Sequence, residues 1–282
     1  MSASGTGFAR TVRTTRPLPN APDRSVTTLL RAHAGLVYLF LYLPIVVVVI
    51  YAFNDSRLVQ IWHGFSTRWF GEAWRDDTLR NGLRISLITA SLNAVLATVL
   101  GTSAGIALRN VGRKTRTSFD MFMYTTLIVP EIVIAIASLL FFVTLGLPLG
   151  PIAIVITHSV FNTSVVALIV RARLAGMDRS LEEASRDLGA SKWGTFRQVT
   201  LPQLFPAVLA GALLAFTFSF DDVVLSSFVS GVGSTTLPVE IFSQIRFGLS
   251  PKVNVVAVVT LSMTFSAIVA AQILLRREAR RA

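Results

Sequence analysis

The sequence contains no cysteine among its 282 residues. Disulfide bonds, thiolate nucleophiles and cysteine-based metal sites are therefore excluded. Charged residues are also scarce, since they make up 15% of the chain while hydrophobic residues make up 52%. With a mean hydropathy of +0.64, the chain is too apolar for an ordinary soluble domain. The composition predicts an integral membrane protein.

Two further patterns are missing from the sequence. It has no G-x-x-x-x-G-K-[ST] phosphate-binding loop, so any ATP hydrolysis that it uses must occur on a separate chain. It also has no internal repeat, which disfavours the inverted-repeat design of many secondary transporters. We expect no bond chemistry, no bound cofactor and no metal site on this chain.

Six apolar runs are separated by polar segments, and each is close to the roughly 20 residues that cross a bilayer core. The first run follows a polar segment that is longer than a usual signal-peptide n-region, and no A-x-A site follows it. We therefore interpret it as a retained span. The pattern predicts an all-α membrane protein with six transmembrane helices, at about 34–53, 83–108, 119–145, 152–170, 204–229 and 253–275.

Basic residues are concentrated on one side of this six-span arrangement. Of the 26 lysines and arginines, 19 lie within the four segments 10–31, 109–116, 171–197 and 276–281. The positive-inside rule makes that side, and with it both termini, cytoplasmic. This placement explains the net charge of +11, which in a soluble protein would suggest nucleic acid. We expect no nucleic-acid partner.

The same arrangement divides the chain into three parts. Residues 1–33 are polar and rich in arginine, threonine and proline, which predicts a disordered basic tail. Residues 34–275 form the six-span domain, and residues 276–282 form a second basic tail. Tryptophans in the external segment 54–82 favour a helix at the membrane interface, although contact with a binding protein is the alternative.

Residues 181–202, LEEASRDLGASKWGTFRQVTLP, are the longest polar interruption in the second half of the chain. Ser180 and Glu183 have capping-box spacing, which predicts a helix start, and Gly189 is suited to end that helix with a positive φ. A second helix is predicted over 191–199, ended by Pro202. Apolar residues recur here at helical spacing and need a protein surface to cover them.

These residues resemble the cytoplasmic pattern E-A-A-x3-G-x9-I-x-L-P of bacterial ABC importer permeases. Ser185 replaces the second alanine and Val199 replaces the isoleucine, both close in size. The matching residues are Glu183, Ala184, Gly189, Leu201 and Pro202. In that family the segment forms coupling helices that dock on an ATPase, here within a loop at about 172–203 between the fourth and fifth spans. An ordinary amphipathic loop helix is the alternative.

The resemblance also implies the partners of this chain. They are a dimer of ATP-binding cassette ATPases, a second homologous permease subunit, an external substrate-binding protein and the lipid bilayer of the bacterial inner membrane. ATP and Mg²⁺ would then be bound by the ATPase subunits and not by this chain.

Carboxyl groups inside the predicted spans are the candidate path residues. Glu131 falls near the middle of the third span, and Asp221 and Asp222 fall towards the external end of the fifth. Because a membrane carboxylate is costly, such residues usually face a partner or a water-filled path, and a path lined by carboxylates favours a cationic passenger. The alternative places Asp221 and Asp222 in the external headgroup layer. His158 has no partner at ligand spacing, so we interpret it as a packed polar residue.

Three runs resemble the spermidine/putrescine importer permeases, namely YAFNDS (51–56), VPEIVIAI (129–136) and FSFDDVVLSSFVSG (218–231). Those relatives often carry aspartate where Glu131 stands. The resemblance implies polyamine import, with iron, thiamine or phosphonate as alternative passengers. An ion-coupled secondary transporter and a non-transporting membrane scaffold are the rivals from other classes.

Overall fold

The computed structural model describes residues 24–57, 61–109, 111–247 and 250–279. They form α-helices and connecting loops, with a π turn at Phe196–Thr200, in agreement with the predicted all-α class. The helices are α1 (Arg24–Tyr51), α2 (Arg68–Arg75), α3 (Asp77–Ala107), α4 (Arg113–Ile128), α5 (Glu131–Thr144), α6 (Pro151–Ala175), α7 (Ser180–Asp187), α8 (Lys192–Thr195), α9 (Leu201–Phe220), α10 (Val224–Val229), α11 (Leu237–Phe247) and α12 (Pro251–Ala279).

The chain divides into one unit that ends at Ile50 and a second that begins at Tyr51. The first contains α1 except for its last residue, and the stretch Val26–Tyr51 of this helix is long and apolar enough to cross a membrane. Because α1 begins at Arg24, the predicted disorder of residues 24–33 is wrong: elongating an existing helix gains a hydrogen bond for each added residue. Residues 1–23 and 280–282 of the two predicted tails lie outside the described residues.

Among the described residues of the second unit, three further helices are long and apolar enough to span a membrane. They are α3, α6 and the continuous helical stretch Lys192–Phe220. The second and fourth predicted spans thus correspond to single long helices. The sixth lies within α12, of which the part Pro251–Ser266 forms a shorter apolar helix.

The third predicted span is not one continuous helix. It consists of α4 and α5, which meet at an angle of 102°. Pro130 stands at the break, and Val129 before it is extended, with φ −61° and ψ 129°. Proline disfavours helical backbone in the preceding residue and has no N–H to continue the hydrogen-bond series, so α4 ends there. Glu131 consequently begins a new helix and does not lie in the middle of one.

The fifth predicted span ends earlier than expected. α9 stops at Phe220, and α10 begins only at Val224. Between them, the Asp222 carboxylate accepts a hydrogen bond from the backbone N–H of Ser226 at 2.7 Å. Aspartate side chains that bond nearby backbone groups compete with helix continuation, which accounts for the break.

Small residues allow α3, α6 and α9 to pack closely. Gly101 and Gly105 of α3 are buried against Val166 and Val170 of α6. Small residues recur at helical spacing in the sequence at 90, 94, 97, 101 and 105 and again at 207, 211, 215 and 219, which predicts a close-packing face on each helix. The structure buries most members of both stripes. The stripe members that are fully buried are Ala90, Ala97, Gly101, Gly105, Gly211, Ala215 and Ser219. Close approach of small faces is typical of membrane helix bundles.

Replacing Gly101 by alanine should destabilise this packing. A Cβ atom there would lie 2.7 Å from the Val166 Cβ and 2.8 Å from the Thr163 carbonyl oxygen, so α3 and α6 would have to move apart. We expect a loss of about 1–3 kcal/mol, typical of overpacking. Thermal unfolding of the purified protein measures it. Gly71→Ala in α2 is the control, because nothing lies within 4 Å of its added Cβ, and an equal loss in both variants would contradict the expectation.

The two ends of α3 contact different parts of the second unit. Near its N-terminal end, the Ser86 hydroxyl accepts a hydrogen bond from the Leu237 N–H at 2.8 Å, at the start of α11. Arg109, just beyond its C-terminal end, contacts α7. α2 precedes α3 and buries Trp69 while it leaves Trp74 exposed. That two-sided character fits a helix at a membrane interface, which stays a prediction.

Candidate functional site

The loop between α6 and α9 begins with a cap that differs from the predicted one. Ser180 is the first residue of α7 and makes no side-chain cap. Instead, the Asp178 carboxylate accepts a hydrogen bond from the Ser180 N–H at 2.9 Å. Bonds from the Ser180 backbone and side chain hold the pKa of Asp178 below its ordinary value. The predicted capping box is therefore wrong, because an aspartate two residues earlier takes the role of the serine.

The end of α7 is as predicted. Gly189 has a φ of 87°. Its N–H donates to the Arg186 carbonyl at 2.9 Å, and the Ala190 N–H donates to the Ser185 carbonyl at 3.1 Å. This pair of bonds is the Schellman motif, in which the residue with positive φ is usually glycine. Ser191 then caps α8 by accepting from the Gly194 N–H at 3.1 Å.

Pro202 does not end the second helix, contrary to the prediction. The helix runs without interruption from Lys192 to Phe220, and Pro202 lies in the first turn of α9. The preceding turn, Phe196–Thr200, is a π turn in which the Leu201 N–H bonds the Phe196 carbonyl. We attribute the continuity to this wider turn, which accommodates the proline ring and its missing donor.

The loop presents an exposed apolar surface. Leu188 is 89% exposed, Trp193 is 69% exposed, and Leu181 is also exposed. The Trp193 ring stacks on Phe196 at a centroid distance of 5.5 Å. A shallow groove runs between α7 and the helix that begins at Lys192. Ala184, Ser185 and Gly189 line this groove. Exposed apolar groups in such a cluster mark an interaction surface.

The other motif residues lie apart from this groove. Glu183 is exposed on α7 and lines a separate small cavity beside Arg109. Leu201 and Pro202 are exposed at the start of α9. The structure thus brings three of the six predicted coupling residues, Ala184, Ser185 and Gly189, to one groove. Their role as coupling residues stays a prediction.

Sequence reasoning singled out Glu183 and missed the adjacent Glu182, whose side chain forms hydrogen bonds to two other segments. Its Oε1 accepts hydrogen bonds from Arg109 Nη1 at 2.7 Å and from Thr200 Oγ1 at 2.9 Å. Partial burial acts to raise the pKa of Glu182, but these bonds outweigh it and the pKa lies below its ordinary value. No local pattern reveals this contact, because Arg109 is 73 residues away.

A second candidate site lies where the break between α4 and α5 approaches the break between α9 and α10. Asp222, in the break between α9 and α10, is 8% exposed. Its Oδ1 lies 3.1 Å from His158 Nε2, a residue of α6. His158 is thus a packed polar residue, as interpreted from the sequence, and it also has a carboxylate partner that no spacing in the sequence indicates. A pair separated by 64 positions is formed by the tertiary fold and leaves no spacing in the sequence.

Glu131 and Asp221 are exposed, and both lie near Asp222. The Glu131 carboxyl is close enough to Asp222 for a side-chain interaction, and Asp221 also acts on it electrostatically. The structure thus brings together all three predicted path carboxyls. Asp222 is buried among the packed helices, while the position of Asp221 and Asp222 relative to the headgroup layer stays a prediction.

A second polar group adjoins this cluster along α6. The amides of Asn93 and Asn162 lie 2.7 Å apart, and Asn93 lies 3.0 Å from the Ser159 hydroxyl. These residues link α3 to α6 in the middle of the packed helices. In the part of the chain that the structure describes, no three histidine, aspartate or glutamate side chains are grouped so as to hold a metal ion.

Comparison with known proteins gives consistent results at the levels of sequence and fold. Residues 97–280 match the family of binding-protein-dependent transport system inner membrane components. The chain is 42% identical over 252 residues to the putrescine transport system permease protein PotI of Escherichia coli K12, covering 87% of this chain and 88% of that one. It is 36% identical over 240 residues to the spermidine/putrescine transport system permease protein PotC of the same organism, covering 85% and 91%.

Among solved structures, a chain of a bacterial ABC transporter involved in the import of the acidic polysaccharide alginate has a similar fold. Its TM-score is 0.67 at 16% identity, and the match covers 92% of this chain and 98% of that one. A chain of the MetNI methionine ABC transporter, in an inward-facing conformation, gives a TM-score of 0.59 at 20% identity, covering 71% and 94%.

Proposed function

The chain belongs to the family of binding-protein-dependent transport system inner membrane components, and we propose that it carries polyamines across the bacterial inner membrane. It is a permease subunit of an ABC importer and not an enzyme. The names of its relatives PotI and PotC refer to putrescine and spermidine transport. The observation that carries the polyamine proposal is the carboxyl cluster at the two broken helices.

This cluster suits a passenger with several ammonium groups. Glu131 begins α5, whereas Asp221 and Asp222 lie between α9 and α10, so the three carboxyls come from two breaks. Carboxylates this close repel one another, and an ammonium group between them would relieve the repulsion while donating up to three hydrogen bonds. An extended polycation could contact both breaks in turn.

Iron, thiamine and phosphonate are the alternative passengers. A phosphonate is an anion, and three carboxyls at one place would repel it. Thiamine and iron are cations, so charge alone does not separate them from polyamines. Competition during uptake separates them directly.

We further propose that six spans cross the membrane with both termini cytoplasmic. The spans are α1, α3, the bent pair α4–α5, α6, the stretch Lys192–Phe220 continued by α10, and α12. The concentration of basic residues near α7 supports a cytoplasmic position for the loop. The domain boundaries then follow the sequence interpretation, with the permease domain over 34–275.

The exposed groove between α7 and the helix that begins at Lys192 is the proposed docking surface for the ATPase dimer. Leu188 and Trp193 would be buried on docking, which gives the exposed apolar surface a partner. ATP and Mg²⁺ bind the ATPase subunits, whose closure moves α7 and switches the path between inward-facing and outward-facing states. A second homologous permease subunit and an external substrate-binding protein complete the importer.

Deleting the gene should abolish saturable uptake of labelled putrescine or spermidine. We would measure uptake in cells that lack other polyamine importers, with unlabelled polyamines, iron, thiamine and phosphonate as competitors. Polyamines alone should compete. Uptake that is unchanged by the deletion would overturn the polyamine proposal.

Variants of the cluster sharpen this test. A gene carrying both Glu131→Gln and Asp221→Asn should fail to restore uptake, because it removes the two exposed carboxyls. The control is Asp77→Asn, a carboxyl that is 89% exposed at the start of α3, and it should restore uptake fully. Restoration by both genes would remove the role assigned to the cluster.

A further inference from the structure

His158 is a buried imidazole with a polar partner on each ring nitrogen. It is 1% exposed. Its Nδ1 lies 2.7 Å from the Ser219 hydroxyl in α9, and its Nε2 lies 3.1 Å from Asp222 Oδ1. The Ser226 hydroxyl in α10 is 3.3 Å from the same Nε2. One side chain of α6 therefore links both sides of the break between α9 and α10.

Asp222 is held by this link and by the start of α10. Its Oδ1 accepts from the Ser226 N–H at 2.7 Å, and its Oδ2 accepts from the Leu225 N–H at 3.4 Å. A buried carboxylate among membrane helices is costly unless it is paired and hydrogen-bonded. With its N–H on Nε2, His158 would donate a hydrogen bond to Asp222 Oδ1, and the Ser219 hydroxyl at Nδ1 holds the orientation of the ring.

We propose that His158 is a positioning residue for passenger binding, which fixes the Asp222 carboxyl at the break so that it meets an ammonium group together with Glu131. This inference rests on the proposed polyamine function. Oδ2 of Asp222 accepts one long backbone hydrogen bond, and the Glu131 carboxyl interacts with the same side chain, so an ammonium group of the passenger placed between the two carboxyls would donate to both. His158 acts through Asp222 and does not touch the passenger.

Two amide substitutions separate this role from simple packing. In His158→Gln, the amide nitrogen reaches the place of Nε2 and still donates to Asp222. In His158→Asn, the shorter amide reaches the place of Nδ1, so it keeps Ser219 and loses Asp222. We expect uptake within roughly twofold of the wild type for His158→Gln and a loss of roughly tenfold or more for His158→Asn, as for a hydrogen bond to a charged group.

Thr157→Val is the control variant. Thr157 is the neighbouring buried residue of α6, and its hydroxyl has no hydrogen-bond partner within the described part of the chain. The substitution removes a buried polar group from α6 without touching Asp222, so uptake should stay near the wild-type level. Equal losses in His158→Gln and His158→Asn would show a packing role and overturn the proposal.

A second readout does not depend on the passenger. Because the chain has no cysteine, a single Leu225→Cys substitution reports on the first turn of α10, where Leu225 is buried. In the His158→Asn background, a membrane-permeant maleimide should label this position several-fold faster than in the His158→Gln and Thr157→Val backgrounds. Equal labelling rates in all three backgrounds would overturn the proposal that His158 fixes Asp222 in the break between α9 and α10.

The two readouts distinguish failure of this inference from failure of the proposed function. Absence of polyamine uptake by the wild-type importer would overturn the polyamine function and, with it, the passenger role of Asp222. Faster labelling in His158→Asn would then still establish that His158 positions Asp222. Normal wild-type uptake with no difference between the two amide variants would overturn the positioning role alone.

Discussion

Replacing Gly189 by valine is expected to uncouple uptake from ATP hydrolysis. Gly189 has a φ of 87°, a backbone conformation that costs residues with a Cβ about 1–2 kcal/mol, and branching adds to it. The strain would break the two hydrogen bonds that end α7 and change the direction of the turn between α7 and α8. Since about 1.4 kcal/mol corresponds to a tenfold change, we expect uptake to fall by roughly tenfold or more.

The measurement compares two rates in the reconstituted importer. Uptake should fall while ATP hydrolysis by the assembled complex continues. Gly176→Val is the matched control, because Gly176 also follows a helix but has a φ of −92° and no atom closer than 3.8 Å to an added Cβ. Unchanged uptake in Gly189→Val would remove the proposed role of this turn, and loss of ATPase binding would assign Gly189 to docking and not to coupling.

The features that the sequence predicts correctly are local ones. Gly189 follows the last turn of a periodic segment, and the left-handed conformation that it adopts depends on its immediate neighbours. The small-residue face of α3 repeats at helical spacing, so periodicity is sufficient to identify it. The break at Pro130 was also accessible, because proline constrains the residue before it, but the apolar run continues across it and favoured one span.

The features that the sequence does not predict depend on contacts between distant segments. Asp222 contacts His158 on another helix, and Glu182 contacts Arg109 beyond the end of α3. Neither pair has a characteristic spacing, since each is formed by the packing of α3, α6 and α9. The continuity through Pro202 depends on a π turn, which no common pattern indicates. Local rules therefore locate the loop and the carboxyls but not their partners.

Glu182 is expected to transmit movement of α7 to the membrane helices. Its carboxylate joins α7 to Arg109, which follows α3, and to Thr200 in the π turn before α9. The side chains of Glu182 and Arg109 are each 14% exposed, so the pair is sheltered from solvent. Losing hydrogen bonds to a charged group of this kind costs about 1.5–3 kcal/mol. Glu182→Ala should therefore lower uptake by roughly tenfold or more while the ATPase stays bound and active.

Glu183→Ala is the matched comparison, because the adjacent glutamate is exposed and, although it lies outside the groove, it matches the motif whose segment docks on the ATPase in the family. It should weaken ATPase binding, whereas Glu182→Ala should leave binding intact and separate hydrolysis from uptake. If both variants lose the ATPase equally, Glu182 has no distinct role. The double variant Arg109→Ala with Glu182→Ala should be no more impaired than Glu182→Ala alone, since Glu182→Ala already breaks the pair with Arg109.

The pH dependence of stability gives an independent check on the same pair. The pKa of Glu182 is lowered by its partners from an ordinary value of 4.5. Its contribution is thus fully present above pH 4.5 and is lost as the pH falls through the lowered pKa of the folded protein. The difference in unfolding temperature between wild type and Glu182→Gln should be constant near neutrality and shrink below pH 4.5. A constant difference throughout acid pH would mean that the charge of Glu182 contributes nothing and that the transmission proposed for it depends on packing alone.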